Sequence, residues 1–449
     1  MSKKYFWVLV YIFITWVTYG QSSLLPAFDR STLDAPVPNY RKSFIESANL
    51  SMDPTGFKIR GMKGWGWTPE QYLAEIPILS KYKMNFLMNC YLSLFTIKPD
   101  LDNYATWKNE WWLPLSKEVK NDYEKIFEKC REDGISFCFA VHPQLFSPRP
   151  IDIENDKDFE DLWQHFAWAQ SKGIRWFSVS LDDVKDVKID GYEHAVLVNK
   201  LIKRLRKKDD KAQMIFCPTY YWGTGESEKQ VAYFDALSKN LDKDVYVFWT
   251  GKKIVPALIT DEDAAKFIKM AGHKVILWDN YPVNDGHLTL HLQPVTGRSR
   301  NLYKQIDGYM ANPFYTQNEI GRIPLFTMAD YAFAPQNYTP SSSIMEAIAH
   351  QNTDKNKQLA LKEVVKLFAT DTMNAKTGFN PVTYNFLRIL QGANSKNESL
   401  QYIKQVEAVT KKFSDTFPND YTATKKTLQK VLTELRNQYD KKFATDKTQ

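Results

Sequence analysis

From Phe57 to about residue 335, short apolar and β-branched runs alternate with amphipathic helical stretches, eight times in succession. The runs expected as strands are Phe57–Gly61, Asn85–Leu92, Ile135–Val141, Trp176–Leu181, Gln213–Cys217, Val245–Trp249, Lys274–Trp278 and Gly308–Ala311. Parallel strands need a long crossover, usually a helix, so this alternation demands a parallel sheet covered by helices. Eight units predict a closed (β/α)8 barrel. The rival, an open doubly wound sheet, would carry a glycine-rich phosphate loop after an early strand. Gly61-x-x-Gly64-x-Gly66 has the wrong spacing for that loop and is set among Trp65 and Trp67. Helix starts are equally plain. Thr68-Pro69-Glu70 offers an N-cap, a proline at the first helical position and an acidic first turn.

From Ser341 the strand signal disappears, and helical periodicity runs through 343–350, 357–370, 381–391, 400–413 and 422–439. This predicts a C-terminal α-helical bundle over 341–449, following a barrel over 55–340. Ahead of the barrel, 21–54 reads as an irregular lead-in rich in Ser, Pro and Asn. Residues 1–20 read as an export signal. Lys3 and Lys4 precede an apolar run from Tyr5 to Val17, and Thr18-Tyr19-Gly20 gives small residues before a cut at Gln21. The expected product is therefore exported, periplasmic or extracellular, with no membrane span once the signal is removed. With 59 basic and 52 acidic residues the net charge is +7, spread over helices such as 203–211 and 425–442. A solvated surface accounts for that excess, so nucleic-acid binding is not expected. Cys90, Cys130, Cys138 and Cys217 match neither a disulfide framework nor a zinc site; a Cys130–Cys138 bridge stays open.

Barrels of this kind place their chemistry at the C-terminal strand ends. Those ends carry Gly61, Lys63 and Trp65, then His142, then Asp182-Asp183, then Pro218-Thr219-Tyr220-Tyr221. Thr250, Trp278-Asp279-Asn280-Tyr281, Asp285 and Asn312 complete the set. It holds one histidine and no nucleophile elbow, so neither a metal nor another cofactor is expected. Aromatic faces, amides and carboxylates suit a sugar, whose ring stacks while its hydroxyls both donate and accept.

On these residues the chain resembles family 84 glycoside hydrolases, the β-N-acetylglucosaminidases that include O-GlcNAcase. The likeness rests on Gly173-Ile-Arg-Trp-Phe-Ser-Val-Ser-Leu-Asp182-Asp183-Val184, Ala140-Val-His142-Pro143, Cys217-Pro-Thr219-Tyr220-Tyr221 and Trp249-Thr250-Gly251-Lys252. It continues through Trp278-Asp-Asn280-Tyr-Pro282-Val-Asn-Asp285 and Gly308-Tyr-Met-Ala-Asn312-Pro313. The resemblance implies a retaining, substrate-assisted exo-β-N-acetylhexosaminidase acting on a glycan or glycoconjugate with a terminal N-acetylhexosamine. In it Asp182 would orient the sugar's 2-acetamido group, whose oxygen attacks the anomeric carbon to give an oxazoline. Asp183 would serve as acid, then base, and Tyr221 would hydrogen-bond at the reacting centre. Cys217, Thr250 and Trp278 would enclose the acetamido methyl. Asn280, Asp285, Asn312 and the Gly61 backbone would hold hydroxyls.

Two departures stand out. The family's first-strand Glu-Gly-Phe-Tyr-Gly is Arg60-Gly61-Met62-Lys63-Gly64 here, and its second-strand Tyr-Gly-Pro-Lys-Asp-Asp is Asn89-Cys90-Tyr91-Leu92-Ser93. A pocket tyrosine and a sugar-binding lysine are thus absent from their places, and Lys63 is expected to reach across in the lysine's stead. Two other readings stay open: a glycan-binding barrel without catalysis, and a two-carboxylate glycosidase with Asp279 or Asp285 facing Asp183.

Overall fold

Each barrel helix begins where the sequence supplies a cap. In the computed structural model, which describes residues 23–38, 55–95, 108–184, 189–282, 290–313, 318–370 and 381–443, Thr68 and Gln71 close a reciprocal capping box at the start of α1 (Pro69–Lys81). The side chains of Ser116, Asn155, Asp190, Ser227 and Thr260 each accept a first-turn N–H, without the reciprocal bond, at the starts of α2 (Lys117–Glu132), α3 (Asp156–Ser171), α4 (Gly191–Arg206), α5 (Glu228–Asn240) and α6 (Asp261–Ala271). The strands between them are β1 (Ile59–Gly64), β2 (Phe86–Asn89), β3 (Ser136–Val141), β4 (Trp176–Ser180), β5 (Gln213–Cys217), β6 (Tyr246–Trp249), β7 (Lys274–Pro282) and β8 (Gly308–Asn312). All pair in parallel and in order, and β8 returns to β1 to close the barrel.

The barrel helix that follows β8, α7 (Asn318–Phe333), escapes the sequence reading because Gly321 and Pro324 interrupt it. Beyond it come α8 (Pro340–Gln351), α9 (Lys355–Phe368), α10 (Pro381–Leu390), α11 (Ser395–Thr416) and α12 (Thr422–Phe443). One apolar core runs from behind the strands, through Phe139 and Phe177, into these helices through Leu361, Phe413 and Leu428.

Residues 23–38 are more ordered than an irregular lead-in. Leu25, Phe28 and Leu33 are buried, and Leu25 exchanges backbone hydrogen bonds with Gly297 and Arg298 in the loop before β8. Thr32 bonds Ser341 at 3.0 Å, and the Arg30 guanidinium and the Lys362 ammonium donate across to Lys366 O at 3.0 Å and Ala35 O at 2.9 Å. This strap joins the barrel to α8 and α9. The expected signal at 1–20, the rest of the lead-in and Asp285 lie outside the described residues. Among the described residues no helix is long and apolar enough to cross a membrane.

Candidate active site

Side chains at every second strand position point into the barrel: Phe86 and Met88, Cys138 and Ala140, Ile215 and Cys217, Ile276 and Trp278, with Met310 from β8. The same alternation turns Lys63 inward, because β1 continues through Gly64 instead of ending at Gly61. Gly61 therefore stands within the ladder, between Phe86 and Met310, where a Cβ would come 2.2 Å from the Phe86 carbonyl. It is not after the strand, as the sequence reading had it. Gly64 closes the strand because the Tyr72 ring fills the space of a Cβ, at 2.3 Å. The Tyr72 hydroxyl donates to Gly64 O and accepts from Cys90 N, both at 2.9 Å, tying the ends of β1 and β2 together.

Asp182 follows the inward alternation past the end of β4 and is 2 % exposed. Asp183 would then face outward, but its φ of +51° turns the backbone so that its carboxylate meets Tyr221 instead. The Tyr221 hydroxyl donates to Asp183 Oδ1 at 2.8 Å. Asp182 takes a different set of partners. The Tyr91 hydroxyl donates to its Oδ2 at 3.2 Å, and the Cys217 thiol bonds it from β5. His142 Nε2 lies 2.8 Å from its carbonyl oxygen and 3.4 Å from Oδ1. His142 Nδ1 accepts the Gln144 and Leu145 N–H groups, so the ring proton belongs on Nε2 and points at Asp182.

These partners drive the two carboxyls apart. Burial pushes Asp182 up, but the His142 bond and the Lys63 charge outweigh it and leave it below the usual carboxylate range. Asp183 opens to solvent at the mouth, yet burial at its base and then the Asp182 charge raise it to about 6, against the pull of the Tyr221 bond. One of the pair is kept ionised and its neighbour keeps a proton into the weakly acidic range. This is the division of labour between a fixed anion and a proton donor.

Around them, Trp278 lies 6.4 Å from Tyr221, centroid to centroid. The Thr250 hydroxyl donates to Lys253 O at 3.1 Å and its N–H to Tyr221 O at 2.9 Å, so Thr250 fixes the Tyr221 turn. Asn312 Nδ2 donates to Asn280 Oδ1 at 2.9 Å, while Asn312 Oδ1 is buried with no partner. Asp279, by contrast, does not face the pocket. It is fully buried on the outer side of β7, where Arg298 grips it at 2.6 and 2.9 Å and the Tyr309 hydroxyl donates at 2.8 Å. That removes it as a second carboxylate across from Asp183.

A family model described as beta-N-acetylglucosaminidase matches residues 58–366, well over half of the chain. The chain belongs to glycoside hydrolase family 84. Protein O-GlcNAcase of Rattus norvegicus and that of Mus musculus are each 25% identical to it over 300 residues, covering 64% of this chain. The match spans only 31% of each of those longer relatives. A mutant of Thermobaculum terrenum O-GlcNAc hydrolase shares the fold, with a TM-score of 0.67, 21% identity and coverage of 86% of this chain and 82% of that one. CpGH84B does so at a TM-score of 0.65 and 21% identity, covering 88% and 72%.

Within this family 84 chain, sequence reasoning missed Tyr91 and the contact His142 makes. Tyr91 lies on a short 3-10 helix, Tyr91–Leu94, directly after β2. It supplies a pocket tyrosine from the second strand where the first strand has lost one. Its signal in the sequence was the very segment set aside as a departure. Arg60, the other departure, donates to the Phe57 and Lys83 carbonyls at 2.8 and 3.0 Å and so latches the barrel's lower loops, away from the pocket. Lys63 enters the site from strand one, as expected. Its ammonium lies over Tyr91, Trp278 and Trp65, with no hydrogen bond to Asn280 or Asn312 among the described residues. Cys90, Cys130, Cys138 and Cys217 are all unbridged and buried. Among the described residues no three His, Cys, Asp or Glu side chains group in a way that could hold a metal ion.

Proposed function

We propose that the chain is a retaining β-N-acetylhexosaminidase whose substrate supplies the nucleophile. The observation that carries this reading is the geometry of Asp182 and Asp183, adjacent in sequence but held by separate partners, Tyr91 and His142 on one and Tyr221 on the other. Asp279, a candidate for the carboxylate that a two-carboxylate mechanism would set across from Asp183, is instead held by Arg298 and Tyr309 on the outer side of β7. In the first step the acetamido oxygen bonds to the anomeric carbon as the glycosidic bond breaks. Asp183 gives its proton to the departing oxygen, and Asp182 accepts a hydrogen bond from the amide N–H. Water then adds to the anomeric carbon of the oxazolinium, passing a proton to Asp183, as the bond from that carbon to the acetamido oxygen breaks and its electron pair restores the amide carbonyl; the original configuration returns. Trp278 and Cys217 suit the acetamido side, and Asn280 and Asn312 suit the hydroxyls.

Hydrolysis of aryl β-N-acetylglucosaminide or β-N-acetylgalactosaminide, with inhibition by a thiazoline analogue of the oxazoline, tests the reading. No turnover of either sugar or of natural glycans overturns it. The pH profile of kcat/KM should fall on the basic side with a midpoint near 6, where Asp183 loses its proton, and on the acid side only below the usual carboxylate range. Tyr221→Phe removes a bond that favours the ionised Asp183, so the basic limb should move to higher pH while kcat drops about 10²-fold. An unmoved limb would mean that another group titrates there. Export is proposed from the signal read at 1–20; secreted protein should begin at Gln21, as N-terminal sequencing can establish.

A further inference from the structure

Lys63 is a buried cation whose charge helps keep Asp182 ionised but whose N–H donors the proposed reaction does not use. It is 1% exposed, and its ammonium stands 3.9 Å from the Tyr91 ring centroid, 4.4 Å from that of Trp278 and 4.6 Å from that of Trp65. Three aromatic faces attract the charge, but an ammonium has three N–H donors, and no described residue gives it an acceptor within hydrogen-bond distance. A buried cation without a hydrogen-bonded partner is costly, and burial accordingly lowers its affinity for the proton. The Trp278 indole N–H, on one of the caging rings, is a second buried donor with no partner.

These donors lie against Trp278 and within electrostatic reach of Cys217 and Asp182. On the reading proposed above, Trp278 and Cys217 stand on the acetamido side of the site. A methyl group there would satisfy neither donor. An oxygen would satisfy one or both.

We infer that this pocket is built for a 2-acylamido group that carries an oxygen beyond its carbonyl, N-glycolyl being the smallest, and that Lys63 determines this specificity. The inference rests on the reading of the site as an N-acylhexosaminidase. A hydroxyl fits better than a carboxylate, because Asp182 and Asp183 already lie within electrostatic reach of the ammonium and would repel a further anion beside it.

The test compares kcat/KM of the full chain on 4-methylumbelliferyl β-glycosides of N-acetylglucosamine and N-glycolylglucosamine. Wild type should favour the glycolyl sugar by about tenfold or more, because a site made to bond a hydroxyl discriminates against its absence. Lys63→Met, close in length and uncharged, should lower turnover of both sugars, because Asp182 loses a nearby cation, but should lower glycolyl turnover by about tenfold more and so erase or reverse the ratio. A wild type that turns over the acetyl sugar and disfavours the glycolyl one overturns the inference and leaves the activity standing. So does a ratio that Lys63→Met does not move, which would make Lys63 a structural part of the cage. Turnover of neither sugar overturns the activity itself, and this specificity with it. Should Lys63→Met fail to fold, the wild-type ratio and the inhibition constants of paired N-acetyl and N-glycolyl thiazolines still decide the matter.

Discussion

Replacing Asp183 with asparagine should lower kcat/KM on an alkyl β-N-acetylglucosaminide by 10² to 10⁴-fold, the usual contribution of a positioned acid. The loss should shrink on a nitrophenyl glycoside, whose leaving group departs without a proton. The limb near pH 6 should vanish with the carboxyl that produces it. Asparagine is the right replacement. Asp183 sits at φ +51°, a conformation asparagine tolerates and alanine resists, so Asp183→Ala would mix backbone strain with lost chemistry. Asp182→Asn offers the complementary result. Its charge holds the Asp183 proton on, so its removal should shift the basic limb to lower pH as turnover collapses. Equal leaving-group dependence in wild type and Asp183→Asn would exclude Asp183 as the acid.

Arg298→Met should destabilise the fold by about 3–5 kcal/mol, read as a lower midpoint in urea denaturation. Arg298 is 1% exposed and bonds Asp279 through two nitrogens, while a third donates to Pro256 O, Ala257 O and Thr296 O. Losing it leaves the Asp279 charge buried with only the Tyr309 hydroxyl for company. Asp279→Leu should cost a comparable amount for the mirror reason, since it leaves the Arg298 charge buried without its carboxylate. The double change Arg298→Met with Asp279→Leu should recover much of the loss, because apolar packing often replaces a buried ion pair without penalty. Losses in the double variant equal to the sum of the two single ones would mean that the two residues act independently.

The barrel was legible because its signals are local. Apolar runs such as Gln213–Cys217 and caps such as Ser227 need no partner to be recognised. The carboxylate pair was visible too, since Asp182 and Asp183 end a strand. What stayed hidden depends on where chains meet. Lys63 points inward only because β1 runs three residues further than its apolar pattern, and nothing local announces that. Tyr91 finds Asp182 across 91 positions, and His142 finds it across 40. Asp279 looked like a pocket carboxylate until Arg298, on a later loop, claimed it. The helix α7 was masked by Pro324 in its interior, whose carbonyl accepts the Thr327 hydroxyl at 2.8 Å.

The strap at 23–38 imposes an order of events on folding. Its docking sites, Arg298, Ser341, Lys362 and Lys366, are made more than 270 residues after it leaves the ribosome. During synthesis Leu25, Phe28 and Leu33 therefore wait exposed while the barrel forms behind them, and their burial is among the last steps to be completed. A segment made early becomes one of the last to be fixed in the finished molecule. A chain cut within 39–54 should release that segment only if the rest has yet to close around it, and a peptide of residues 23–38 supplied separately should raise the melting temperature of a chain that lacks it.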